Sequence, residues 1–232
     1  MRNNEYKIVE LYDQTELNSV REIVTSHTRT ITNCRTLQLE QYHDFVDEQK
    51  HRTVGDKKLR VLTSESAQIL ENLGGTKRIF EENPGYSLGN IIYNSKEMEQ
   101  RPEFYFRLVR PNRLGDVGPP HCDYWFHEAM GTGWSIGNTI KYWIPIVIES
   151  ELNGLLFYPE APTHVPFKIL EKGGLKRPVI DIPITRLGSP ILPALKLGQA
   201  LKFNDNVLHA GAPNKGRFTR VSMEITLVKS AL

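Results

Sequence analysis

Residues 121 to 123 read His-Cys-Asp, inside the stretch GDVGPPHCDYWFHEA, and their types are those of metal ligands. In an extended strand alternate side chains share a face, so His121 and Asp123 project together while Cys122 points to the other side. One imidazole and one carboxylate form a mixed nitrogen and oxygen donor pair that suits Fe(II). A facial centre needs one more histidine, and His127, His164 and His209 are the candidates. His127 is four residues from Asp123, a spacing that serves a helix rather than a strand, which puts it at the rim of a site or on the surface. His164 lies in the proline-rich FYPEAPTHVP and reads as a loop residue. His209 closes the apolar run ALKFNDNVLHAG and is somewhat better placed to line the mouth of a barrel.

A second group of residues would serve a carboxylate ligand. In TRVSMEITLVK, Arg220 and Ser222 share one strand face and offer a planar guanidinium fork beside a hydroxyl. Alone, Arg220 would read as a solvent-facing arginine or as a partner of Glu224; downstream of a His-x-Asp and a further histidine it reads as an anion anchor. In EFYFRLVRPN, Tyr105 and Arg107 also share a face, within reach of the same ligand or of a substrate, unless that face is the outer one. The stretch HCDYWFHEAMGTGWSIGN is rich in aromatics and glycine directly after two ligands. Tyr124, Trp125, His127 and Trp134 are therefore expected on the substrate side of the mouth.

Strands and turns must position these groups. From about residue 103 onward β-branched and aromatic runs alternate with Gly, Pro and Asn: 103–112, 139–148, 154–161, 178–187, 199–211 and 219–229. No convincing helix interrupts them, and short strands at such spacing predict a sandwich, barrel or jelly roll. The first hundred residues read as a helical flank. Leu17, Val20, Ile23 and Val24 recur at helical spacing with Thr15 as a cap, SESAQILENLGG ends in a glycine stop, and TKRIFEEN precedes Pro84. The expectation is one domain over residues 1–232, mainly β, with the flank at about 1–100 and the core at about 103–232.

Composition narrows the class. The 232 residues are 39% hydrophobic and 24% charged, as in an ordinary folded protein, and a net charge of +2 makes no electrostatic case for nucleic acid or an anionic membrane. The two cysteines, Cys34 and Cys122, make neither a disulfide framework nor a zinc pair. The N-terminus lacks the apolar core of a signal peptide, and no apolar run is long enough to span a bilayer. These features predict a soluble, cytoplasmic protein with a small-molecule substrate.

The order HCD … H … RVS resembles the Fe(II)/2-oxoglutarate-dependent dioxygenases, and in particular their phytanoyl-CoA dioxygenase-like branch. The likeness extends to KYWIPIVIESELNGLLFYPEAPTH and LKLGQALKFNDNVLHAGAPN, covering residue 103 to the C-terminus. Where the family usually has Gly-Asp at a turn, this chain has Gly198-Gln199. The resemblance implies a double-stranded β-helix with His121, Asp123 and His209 as iron ligands. It implies that Arg220 and Ser222 hold the distal carboxylate of 2-oxoglutarate, and that O2 is the oxidant. It also implies that Asp123, where related halogenases carry a small residue, favours hydroxylation of a C–H bond. The competing expectation is a cupin-like isomerase or small-molecule binder, in which an Arg220-Ser222 pair has no clear purpose.

Overall fold

The computed structural model describes residues 5–56, 59–93, 96–131, 136–172 and 175–229. Strand β1 (Tyr6–Glu10) leads into helices α1 (Gln14–Thr32), α2 (Tyr42–Phe45), α3 (Glu48–Val54), α4 (Ser64–Glu71) and α5 (Gly74–Glu81). Strands β2 (Tyr86–Leu88), β3 (Asn90–Tyr93), β4 (Lys96–Pro102) and β5 (Phe104–Val109) precede helix α6 (Asp123–Met130). The remaining strands are β6 (Thr139–Val147), β7 (Leu155–Phe157), β8 (Phe167–Lys172), β9 (Leu175–Ile180), β10 (Gln199–Asn204), β11 (His209–Gly211) and β12 (Arg220–Lys229).

The main sheet is antiparallel, in the order β1-β10-β6-β12-β2, with β5 also paired to β12. Its two faces are set by strand alternation. One face presents Phe104, Phe106 and Leu108 of β5, Ile140, Tyr142 and Ile144 of β6, and Val221, Met223, Ile225 and Leu227 of β12. These pack with Leu17, Val20 and Val24 of α1 and Leu70 of α4 in the largest apolar cluster. The other face carries Trp143, Leu201 and Phe203, which pack with Leu155 and Phe157 of β7. Opposite this face β7 pairs with β11, and isolated bridges join His121 to His209 and Phe157 to Ile191, so four short segments lie side by side.

The first hundred residues are tied into this architecture rather than appended to it. Strand β1 is an edge strand of the main sheet, and β2 pairs with the end of β12. Gly198, at φ +88°, accepts hydrogen bonds from the backbone of Leu11 and Tyr12. A β-carbon there would stand 2.6 Å from the Tyr12 carbonyl oxygen, so the turn admits only glycine. Helix α1 runs well past the expected stripe of Leu17 to Val24, because Thr28 and Thr32 continue its buried face and bond back to the carbonyls of Val24 and Thr28. Its cap is Asp13, in a reciprocal box with Glu16, rather than Thr15.

Other boundaries moved for tertiary reasons. Gly74 and Gly75 do not stop α4, which ends at Glu71 with Asn72 as its cap; they open α5, where Gly75 lies too close to the Leu11 backbone for any side chain. The expected strand at 154–161 is confined to β7, and that at 178–187 divides into the end of β9 and a 3-10 turn at Ile184–Leu187 after Pro183. Helix α6 breaks the expected all-strand core.

A buried polar cluster fixes the loop before His121 to the helices. The Asp116 carboxylate accepts hydrogen bonds from the Arg110 backbone N–H and guanidinium at 2.9–3.0 Å, and His51 Nε2 lies 3.2 Å away. His51 Nδ1 pairs with the Tyr42 hydroxyl at 3.0 Å, and Arg110 also reaches Glu48. Burial would raise the Asp116 pKa, but the hydrogen bonds from Arg110 and His51 outweigh it and hold the carboxyl well below the usual range.

Candidate metal centre

Pro119 and Pro120 keep the chain extended up to His121, whose backbone exchanges hydrogen bonds of 2.9 and 3.0 Å with His209 on β11. Such a directly opposed pair projects both side chains to the same side, and the two rings lie 4.4 Å apart. Cys122 then takes the N-cap position of α6 and Asp123 the first helical one, where a carboxylate is favoured by the helix dipole. The expectation of a continuous strand through His121-Cys122-Asp123 is thus replaced by a strand-to-helix junction. It still brings His121 and Asp123 together.

The side chains are oriented for coordination. His121 Nδ1–H donates to the Pro119 carbonyl at 2.7 Å, and His209 Nδ1–H donates to the Val207 carbonyl at 2.9 Å. A carbonyl can only accept, so both Nε2 atoms are left as lone-pair donors, the arrangement typical of metal-ligating histidines. They stand 3.7 and 4.0 Å from Asp123 Oδ1, and the donor atoms of all three residues lie within 4.8 Å of one another. Burial and the neighbouring His209 pull the His121 pKa down to about 4, so the ring is neutral near pH 7. Burial would raise the Asp123 pKa, but the Lys141 ammonium leads the charges that outweigh it and keep the carboxylate ionised. Phe203 and Phe157 pack beside His209, with ring centroids at 4.8 and 6.2 Å.

The face of the main sheet on this side carries the other expected residues. Arg220 and Ser222 are both fully buried, with Ser222 in register with Arg107 and Pro145. One Arg220 nitrogen, Nη1, donates to the Gly154 carbonyl, whereas Nε, Nη2 and the Ser222 hydroxyl have no partner among the described residues. Burial and the Arg107 charge pull the Arg220 guanidinium down to about 9. A buried cation left this way calls for an anion, and unpaired Nε and Nη2 beside a hydroxyl suit one carboxylate. Arg107 makes no hydrogen bond among the described residues, and its Nη1 and the His121 ring both border Gly118. Tyr105 is buried next to it, with the Arg107 guanidinium 5.9 Å from its ring.

The aromatic stretch after the ligands divides. Trp125 is fully buried and stacks on Phe167 at 4.8 Å, and Tyr124 meets the same ring edge-on, so both pack against the β8–β9 hairpin. His127 is buried rather than at a rim, because α6 turns the four-residue spacing from Asp123 into one helix face. Trp134 lies outside the described residues. His164 is exposed in its loop, and the buried Cys122 belongs to the cluster with Trp125. Sequence reasoning missed Phe126, edge-on to His121 at 5.2 Å, and the buried Lys141. Helical spacing from Asp123 would have signalled Phe126; a lysine in an apolar strand was the signal for Lys141.

No protein-family profile matches the sequence, and no curated protein matches it. Solved structures do. EvdO2 from Micromonospora carbonacea var. aurantiaca, complexed with 2-oxoglutarate, is 13% identical over 99% of this chain and 88% of its own, with a TM-score of 0.58. The non-heme monooxygenase ThoJ is 11% identical over 98% and 75% of the two chains, with a TM-score of 0.57. EctD from S. alaskensis, with 2-oxoglutarate and 5-hydroxyectoine, is 11% identical over 97% and 72%, with a TM-score of 0.54. At these identities the likeness is one of fold. Among the described residues no helix is long and apolar enough to cross a membrane. The chain therefore shares its fold with these proteins and carries a His-Asp-His group that could hold a metal ion.

Proposed function

We propose that the whole chain is one Fe(II)- and 2-oxoglutarate-dependent dioxygenase built on a double-stranded β-helix, which hydroxylates a small molecule. The observation that carries this is the buried, two-thirds-unpaired Arg220 guanidinium beside the unpaired Ser222 hydroxyl, on the sheet face that looks toward His121, Asp123 and His209. The order HCD … H … RVS supports reading the chain as a phytanoyl-CoA dioxygenase-like member.

In this reading His121, Asp123 and His209 hold iron through two Nε2 atoms and one carboxylate oxygen. Arg220 and Ser222 grip the distal carboxylate of 2-oxoglutarate, and Arg107, with Tyr105 behind it, faces the end nearer His121. When bound, iron with 2-oxoglutarate and O2 supplies an oxidant for a C–H bond, one oxygen atom going to the substrate and the other to succinate, with release of CO2. The chain's own contribution is placement. The carbonyls of Pro119 and Val207 lock the histidine tautomers, and Phe157 and Phe203 keep the His209 side dry. Asp123 occupies the third position with oxygen, which favours hydroxylation over halide transfer. Helix α6 borders the substrate side of the centre through Phe126, which stands edge-on to His121, while Tyr124 and Trp125 anchor the helix to the β8–β9 hairpin.

The test is succinate formation by purified protein supplied with Fe(II), 2-oxoglutarate and O2. Slow formation without added substrate, lost when iron is omitted or Asp123 is changed to Ala, is expected. A parent protein that forms no succinate under any condition would overturn the reading.

A further inference from the structure

The site face of the main sheet carries more polar chemistry than a metal and a co-substrate use. Beyond Arg220 and Ser222, β12 continues on that face with Glu224 and Thr226, whose register partners on β6 are Trp143 and Lys141. Lys141 is 8% exposed, and its ammonium lies 3.8 Å from a Glu103 oxygen and 4.0 Å from a Glu224 oxygen. Both separations exceed hydrogen-bond length, and Lys141 makes no hydrogen bond among the described residues. The buried Thr226 hydroxyl and Trp143 indole N–H beside it are also without partners among those residues. Buried donors and acceptors are rarely left so, and these occupy paired positions of β6 and β12, with the Trp143 ring also 5.7 Å from the Arg220 guanidinium.

We propose that this end of the face binds the substrate through its hydroxyl groups, and that the substrate is a neutral, polyhydroxylated molecule such as a sugar or glycoside. The proposal rests on the iron and 2-oxoglutarate reading. A hydroxyl is both acceptor and donor. Seated about 2.8 Å from each, one hydroxyl oxygen spans an ammonium and a carboxylate that stand about 4 Å apart. It accepts from Lys141 and donates to Glu224 without disturbing either ion pair.

Charge balance selects against other classes. Lys141 lies within ion-pair distance of Glu103 and Glu224 and also feels the Asp123 charge, so its ammonium is already supplied with carboxylates. Arg107 and Arg220 are offset by the two carboxylates of 2-oxoglutarate. A substrate carboxylate at Lys141 would meet Glu103 and Glu224, which already flank that ammonium, and a substrate ammonium would compete with Lys141 for the same two carboxylates. An acyl chain would leave Lys141, Thr226 and Trp143 unsatisfied.

Calorimetric titration of the full chain with the methyl glycosides of glucose, galactose and mannose, with alanine and lysine, and with octanoate tests this. At least one glycoside binds, and the amino acids and octanoate do not. Glu224→Gln, which keeps the side chain's size and the Lys141–Glu103 pair, weakens that glycoside about tenfold or more. Thr226→Val removes an unpaired hydroxyl without changing shape, and weakens binding too should the first variant fail to fold. Binding of octanoate or an amino acid in preference, absence of any glycoside binding, or a glycoside indifferent to both variants overturns the proposal. Succinate formation without substrate, measured in parallel, tests the iron reading alone: a protein that makes succinate but binds no glycoside sinks this proposal only, and one that makes no succinate overturns the iron reading on which it rests.

Discussion

The two faces of β12 are one strand with two jobs. Val221, Met223, Ile225 and Leu227 point into the helices, where each is buried among apolar neighbours. Arg220, Ser222, Glu224 and Thr226 point the other way, and three of the four hold polar atoms that are buried yet unpaired among the described residues. The contrast separates stability from function along a two-residue period. Apolar burial repays folding immediately, whereas an unpaired buried guanidinium or hydroxyl costs stability until something binds it. The helical side holds the sheet firmly enough to carry that cost on the other side.

Substitutions on the two faces should therefore behave oppositely. Met223→Ala, on the helical side, should cost about 2–5 kcal/mol in denaturant unfolding, with the 2-oxoglutarate affinity of the folded fraction unchanged. If it altered that affinity while sparing stability, the division of labour would fail. Ser222→Ala should have a smaller effect, of the reverse kind. Deleting an already unpaired hydroxyl leaves stability within about 1 kcal/mol or raises it slightly, while 2-oxoglutarate binds several-fold more weakly. A strongly destabilised Ser222→Ala with unchanged co-substrate binding would make that serine a packing residue.

Much of this was legible in the chain. The alternation in TRVSMEITLVK gave β12 and both of its faces, and Leu17, Val20 and Val24 gave α1. That His121, Asp123 and His209 come together was partly legible, because His121 and Asp123 are near neighbours and His209 ends an apolar run, though spacing alone barely separated His209 from His127 and His164. What escaped depended on contacts between distant segments. No local signal says that residues 6–10 will complete the sheet by pairing with β10, or that Gly75 must start a helix to clear Leu11. Asp123 was assigned to a strand because DYWFHEAM is too short for its helical period to stand out from the strand-rich sequence around it. That error also misplaced His127, whose spacing was recognised as helical and set aside. The charges around Lys141 were overlooked since Glu103, Lys141 and Glu224 come from three separate strand segments and meet only in the folded sheet.

The central claim is that one face of this sheet and the His121–His209 bridge together hold iron and 2-oxoglutarate. Anaerobic titration with Fe(II) and 2-oxoglutarate, followed by visible absorption, tests it most directly. The account predicts a weak metal-to-ligand charge-transfer band that needs both additions. Asp123→Ala should abolish the band, and Arg220→Ala should shift it to higher 2-oxoglutarate while leaving its iron dependence nearly unchanged. A parent protein that binds iron yet shows no band at any 2-oxoglutarate concentration would contradict the account.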